Sequence, residues 1–207
     1  MNNVNYHREL EKIISGEHNR KLLLHSCCAP CSSYCLIYLY KHFDITCFYC
    51  NPNITDKDEY EKRFAELRRL IGLIGTEYGC EGRIGLKESG YDPDSFVQKV
   101  DTLGLAGCPE GGSRCEMCFR LRLEKTYEEA VAGGYDYFAT TLSISPHKNA
   151  RLINEIGYAL ATDPGGPKWL PADFKKNNGY LQSIKLSEKY GLYRQNYCGC
   201  AYSKREP

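Results

Sequence analysis

The stretch Leu22-Leu23-Leu24-His25-Ser26-Cys27-Cys28-Ala29-Pro30-Cys31-Ser32-Ser33-Tyr34-Cys35 runs from an apolar triplet straight into a loop crowded with thiols. The triplet suits a buried strand. Pro30 is tolerated in the first turn of a helix, and from Ser32 onward Tyr34, Ile37, Tyr38 and Tyr40 recur at roughly helical spacing. The stretch therefore predicts strand, ligand loop, helix. A nucleotide phosphate loop has the same order but needs glycines to let backbone N–H groups approach the phosphate, and this loop has none. Adjacent cysteines rarely bond to each other, because disulfide geometry needs separated, converging side chains. Thiols fanned from one turn suit metal instead.

Working outward, 207 residues with 42% hydrophobic content are enough for one sizeable core, so residues 1–207 are expected to form a single domain. No apolar run is long enough to span a bilayer. Near the N-terminus, Tyr6, Leu10, Ile13 and Ile14 make an amphipathic stripe rather than the apolar core of a signal segment. The expected location is the cytoplasm, without a membrane partner. In a reducing compartment, 12 cysteines point to metal binding or redox chemistry rather than to six structural disulfides. The formal net charge of +1 means that a nucleic-acid surface would have to come from local clustering of Lys and Arg.

Asp44 to Cys50 reads as a strand ending in the turn Asn51-Pro52-Asn53. It carries Cys47 and Cys50, which three-residue spacing on a strand sends to opposite faces, so they are expected to be buried cysteines and not ligands. A helix capped near Thr55 follows, with Tyr60, Phe64, Leu67, Leu70, Ile71 and Ile74 on its apolar face and Lys62, Arg63, Arg68 and Arg69 on its solvated one. Gly72, Gly75 and Gly79 punctuate a stretch around Cys80 with no clear element. Asp92 to Leu105 reads as a helix, as does the stretch from Arg114 to Gly133. Asp136 to Leu142 is a short strand, and Ser145-Pro146-His147-Lys148-Asn149 leads into the next helix. Alternating strands and helices predict an α/β fold with a mainly parallel, Rossmann-like sheet and helices on both faces. Polar loops at the carboxyl ends of its strands would form the site. The C-terminal segment, 165–207, differs in texture: aromatic and basic residues interleave, a helix runs from Ser183 to Tyr190, and Cys198 and Cys200 close it.

Cys115 and Cys118 lie on one face of a helical first turn. With Cys27 and Cys28 they supply four thiolates, the number that holds a 4Fe-4S cluster. Tetrahedral zinc takes the same number, but vicinal ligands are awkward for one small ion and natural for a core presenting several irons. Cys198 and Cys200 form a CxC pair suited to a strained, readily reduced disulfide.

Six ordered motifs, HSCCAPCS, YCNPNITDKDEYEKR, RCEMCFRLRL, TTLSISPHKN, WLPADFKK and LYRQNYCGCAYS, spread from Leu22 to Ser203. Together they closely resemble those of the cobalamin-independent epoxyqueuosine reductases, the QueH family. The resemblance implies a sheet similar to that of the adenine-nucleotide α-hydrolases. It implies an enzyme that removes the epoxide oxygen of epoxyqueuosine, at the wobble position of tRNA with a GUN anticodon, to give queuosine and water. It also implies a 4Fe-4S cluster on Cys27, Cys28, Cys115 and Cys118, a second metal ion nearby, and a redox-active pair at Cys198 and Cys200. Some members of the family have an aspartate at the position of Cys31 that helps hold the second metal. Here a thiolate would take that place, and sulfur favours softer metals, iron or zinc.

Deoxygenating an epoxide takes two electrons and two protons. The dithiol and the cluster would share the electrons, supplied by an external low-potential donor, and a neighbouring metal would polarise the epoxide oxygen. His147 is the candidate proton donor. Arg114, Arg120, Arg122, Lys175, Lys176 and Arg194 are candidate phosphate contacts. The alternative is a zinc-stabilised tRNA-binding module without redox activity. An ATP-dependent tRNA-modifying enzyme would need the glycine-rich loop that is missing.

Overall fold

The computed structural model describes residues 4–204. Five strands, β1 (Arg20–His25), β2 (Phe43–Tyr49), β3 (Ile84–Glu88), β4 (Tyr137–Thr140) and β5 (Lys168–Trp169), form one sheet in the order β3-β2-β1-β4-β5. Every pairing is parallel. Around it stand α1 (Tyr6–Gly16), α2 (Ala29–Leu39), α3 (Lys57–Tyr78), α4 (Asp94–Thr102), α5 (Ser113–Ala132), α6 (Ala150–Leu160) and α7 (Gly179–Lys189). The α/β class and the helices on both faces are as the alternation of elements predicts.

The apolar triplet explains why β1 is central. Side chains alternate across a strand, so Leu22 and Leu24 enter one core, with Leu10 of α1, Leu36 of α2 and Leu67 of α3. Leu23 enters the opposite core, with Phe119 and Leu123 of α5 and Ile153 of α6. All three leucines are fully buried, each contributing on the order of 1.5–3 kcal/mol relative to exposure. His25 follows Leu23 onto the α5 face.

Strand order reverses direction at β1. After β1 the chain turns into α2 on the first face, and after β4 it continues to α6 on the second. The chain thus leaves these neighbouring strands in opposite directions and opens a crevice at their carboxyl ends, the place where sheets of this kind bind ligands. The expected convergence of the cysteine loop, Asn53 and the loop from Ser145 occurs there.

Helix α2 begins at Ala29, with Cys28 as its N-cap and Pro30 in its first turn as the proline predicts, but several other boundaries differ from expectation. Helix α3 runs through Gly72 and Gly75 to Gly79, whose left-handed φ of 60° ends it. Burial of Leu70 and Ile74 against the sheet outweighs the cost of about 1 kcal/mol per helical glycine. Edge strands β3 and β5 were not anticipated. Residues 145–148 form a turn, and α6 begins after the N-cap Asn149, whose Oδ1 accepts the Leu152 N–H at 3.2 Å.

Asn154 of α6 ties the far edge together. Its Oδ1 accepts from Trp169 Nε1 and from Ala172 N–H, both at 3.0 Å, and its Nδ2 donates to the Ala172 carbonyl at 2.9 Å. The indole fits because residue 157 is glycine: a Cβ there would lie 2.1 Å from Trp169 Cδ2. Gly157→Ala gains about 1 kcal/mol of helix propensity but overpacks a buried ring at a cost of about 1–3 kcal/mol. We expect a net lowering of the urea midpoint, and an unchanged or higher midpoint would show that the indole can move aside.

Candidate metal centre

The N-terminus of α2 delivers three sulfurs to the crevice. The Sγ atoms of Cys27, Cys28 and Cys31 all lie within 4.8 Å of one another, with Cys27 and Cys28 3.8 Å apart. Among the described residues this is the one group of three ligand-type side chains close enough to share an ion. The trio holds negative charge at Cys27: donation from the Cys28 and Cys31 thiols, aided by Lys148 and Arg122, carries Cys27 well below the usual thiol range despite its burial. Cys28 is then pushed up to about 11 and Cys31 well above its ordinary value, because each would ionise beside the Cys27 sulfur. Lys148 is the charge that sequence reasoning passed over. Burial opposes its ammonium, but the sulfurs of Cys27 and Cys31 raise its pKa.

The second pair arrives on the first turn of α5. Cys118 is buried, and Cys115 packs against the core that contains Cys27 and Cys28. One residue joins the two cysteine segments. Arg122, one turn beyond Cys118, points Nη1 at Cys118 Sγ (3.9 Å), Nε at His25 Nε2 (3.2 Å) and Nη2 at Asn51 Oδ1 (2.6 Å). Asn51 in turn donates to the Ser26 carbonyl at 3.0 Å, just before the cysteine loop. The His25 ring is held on both edges, Nδ1 lying 2.8 Å from Thr140 Oγ1 and Nε2 3.1 Å from the Cys50 carbonyl, an oxygen that can only accept. Burial first, and then the Arg122 charge, lower the His25 pKa to about 3 and keep the ring neutral.

Each of the four sulfurs expected to bind a cluster has a hydrogen-bond donor beside it. Cys28 accepts from the Cys31 N–H (3.4 Å), Cys115 from the Gly111 N–H (3.2 Å) and Cys118 from Arg122. The Thr141 hydroxyl lies 3.6 Å from Cys27 Sγ while accepting the Cys27 N–H. Donors of this kind favour the thiolate, the form that ligates metal, against the burial that holds Cys118 up to about 11. An all-sulfur donor set fits iron-sulfur clusters or zinc and disfavours hard cations.

A cavity of about 340 Å³ opens beside these groups, and Cys31, Cys115, Cys118, Cys198 and Cys200 all line it. That volume falls within the range of small-molecule sites. Cys198 and Cys200 arrive on the C-terminal strap. Hydrogen bonding from Cys200 first, then from Ser203, lowers the Cys198 thiol to about 5 against its burial, whereas Cys200 is raised by the same partner. Cys198 Sγ and Ser203 Oγ are 3.0 Å apart.

Other expected residues are placed differently. His147 lines the cavity but is exposed. Arg114 and Arg122 are not phosphate contacts: both are buried, and Arg114 spends its guanidinium on the carbonyls of Leu105, Ala106 and Cys108. Lys175 is turned inward to the Ser143 carbonyl (2.9 Å) and Asp173 (3.0 Å). Arg120, Lys176 and Arg194 remain exposed. Arg63, expected on the solvated face of α3, is buried against the strap, paired with Glu59. Cys47 and Cys50 enter opposite cores, as strand spacing predicts.

A doubly wound parallel sheet with hydrogen-bonded thiols at its switch point defines a Rossmann-like protein built around a sulfur-rich centre. Comparison with known proteins narrows this class. Residues 22–206 match the family described as Epoxyqueuosine reductase QueH. A relative of that name from Streptococcus pyogenes serotype M1 is 43% identical over 206 residues, 98% of this chain and 79% of the relative. One from Staphylococcus epidermidis is 42% identical over 205 residues (97% and 84%), and one from Thermotoga maritima 35% over 185 (89% and 91%). The chain belongs to the epoxyqueuosine reductase QueH family.

The geometry makes Cys198 the thiol ionised first at the cavity wall. Its alkylation by iodoacetamide, followed by mass spectrometry, is expected to be flat from pH 7 to 9 and to fall only toward about pH 5. A rate still climbing through about pH 8.5, the ordinary thiol value, would refute the assignment.

Proposed function

We propose that this protein is an epoxyqueuosine reductase. It acts on epoxyqueuosine at the wobble position of tRNA with a GUN anticodon and removes the epoxide oxygen as water, leaving queuosine. The observation that carries the reading is the convergence around one cavity of Cys31 from the first turn of α2, with Cys27 and Cys28 beside it, the first turn of α5 and the C-terminal strap. Cys27, Cys28, Cys115 and Cys118 would hold a 4Fe-4S cluster and Cys31 would extend the sulfur set to a second ion, iron or zinc. When bound, these groups supply single electrons and Lewis acidity beside the substrate.

The chain's own residues do the rest. The Cys198 thiolate and the Cys200 thiol give up two electrons and one proton as they become a disulfide, while the epoxide takes up these and a second proton to become alkene and water. An external low-potential donor returns the disulfide to the dithiol. His147, which lines the cavity, would deliver that second proton to the departing oxygen. Lys148 balances the negative charge held by the Cys27, Cys28 and Cys31 trio, and Arg122 holds the two ligand segments in register. Arg120, Lys176 and Arg194 present cations to tRNA phosphates.

The test is direct. Protein purified without oxygen should be brown, contain iron and sulfide, and convert epoxyqueuosine-tRNA over many turnovers, read by mass spectrometry of the digested nucleosides. Cys198→Ser should keep the colour and lose multiple turnover. A colourless, zinc-containing protein that binds tRNA without converting it would replace this reading with the zinc-stabilised binding module. Replacing Arg120, Lys176 and Arg194 together by alanine should reduce the slope of log affinity against log salt by about 2, at about 0.7 per single-strand phosphate contact. An unchanged slope would remove them from the interface.

A further inference from the structure

The strap that carries Cys198 and Cys200 is held by one edge of α3. Arg69 donates to the carbonyls of Tyr190 and Gly191, both at 3.0 Å. Glu66 accepts the Tyr193 N–H at 2.7 Å, and Glu59 accepts the Tyr193 hydroxyl at 3.0 Å. Arg63, only 2% exposed, completes the series. Its Nε is fixed by Glu59 at 2.6 Å, leaving Nη1 for the Cys198 carbonyl (3.1 Å) and Nη2 for that of Tyr197 (3.3 Å).

Two further bonds close the grip. Asn53 Nδ2 also donates to the Cys198 carbonyl at 3.1 Å, and the Thr55 N–H to that of Gly199 at 3.3 Å. Three consecutive carbonyls, 197 to 199, are thus anchored to α3 and the loop before it. Gly199 adopts a φ of 100°, and a Cβ on it would lie 2.7 Å from Ile54 Cγ1 and 3.3 Å from Arg63 Nη1. The backbone between the two thiols is clamped on both sides, and both cysteines are free thiols.

We propose that Arg63 is a positioning residue that sets the dithiol–disulfide balance of Cys198 and Cys200. Joining sulfurs two residues apart requires the intervening peptides to turn, and the fork on carbonyls 197 and 198 resists that turn. The clamp therefore favours the dithiol and eases its return after each oxidation. This inference rests on the dithiol role proposed above.

The test equilibrates the intact protein, without oxygen, against mixtures of reduced and oxidised glutathione. The Cys198 thiolate and the Cys200 S–H give up two electrons and one proton as the S–S bond forms, while oxidised glutathione takes up those electrons, that proton and one from the buffer to become two reduced molecules. The disulfide fraction is read by mass spectrometry after acid quench and alkylation. Arg63→Met should shift the equilibrium toward the disulfide about tenfold, roughly 30 mV for a two-electron couple. Arg63→Lys keeps the charge but not the fork, and should shift it by about threefold, so it decides the matter if the methionine variant does not fold.

Arg69→Met, which frees the strap at its other end, should leave the equilibrium unchanged. No shift in the Arg63 variants, or an equal shift in Arg69→Met, overturns the inference and leaves the dithiol reading intact. A wild-type protein that forms no Cys198–Cys200 disulfide at any glutathione ratio rejects the dithiol reading and, with it, this role for Arg63.

Discussion

The site depends on a buried guanidinium that has sulfur, a neutral imidazole and an amide oxygen around it. Arg122 is 3% exposed, and its three hydrogen bonds go to Cys118, His25 and Asn51. Desolvation disfavours its charge, while Cys118 and Cys27 favour it. A buried cation needs negative charge close by, and here the sulfurs are what is available to supply it. The same contacts make it a spacer: one end belongs to α5, the other grips the loops after β1 and β2. The positions of Cys115 and Cys118 relative to Cys27 and Cys28 follow from where that side chain can reach.

Charge and geometry are coupled in the neighbouring groups as well. His25 sits at the end of the central strand, where burial and the Arg122 charge keep it from becoming a second cation while its ring reaches Thr140 on one edge and the Cys50 carbonyl on the other. Thr140 and Thr141, at the end of β4, reach back to His25 and Cys27. Hydrogen bonds that fix the side chains behind a ligand set tune its affinity and reactivity as much as the ligands do. The switch point of the sheet supplies these partners because β1 and β4 are hydrogen-bonded neighbours whose chains then diverge.

How much was legible in the sequence follows from the same physics. The strand, the cysteine loop and the helix after it announce themselves through an apolar triplet and Pro30, and the paired thiols of α5 through helical spacing. The edge strands carry little signal: β3 buries only Ile84 fully and β5 has two residues. Burial of Arg63 and Arg122 was also hidden, since arginine in an amphipathic helix ordinarily faces water. A positional clue existed in each case. Arg63 lies three residues after Tyr60 and four before Leu67, and Arg122 lies four after Cys118, so each falls on a face already assigned to the interior or the ligands. The strap could not be placed because its partners, Glu59 to Arg69, are far away in the chain.

The twelve cysteines are sorted by environment rather than by motif. Cys35 donates its S–H to the Cys31 carbonyl and Cys80 to that of Ile74, so both are thiols. Burial raises their pKa, as it does for Cys50 and for Cys47, which is pushed up to about 12. They behave as small apolar residues. Cys28, Cys115 and Cys118 differ in having an N–H aimed at the sulfur, although Cys28 also donates to Cys27. Which backbone N–H or cation the fold brings to each sulfur separates these three from the buried cysteines. Spacing alone does not, since Cys47 and Cys50 share the CxxC spacing of Cys115 and Cys118 and end in two different cores.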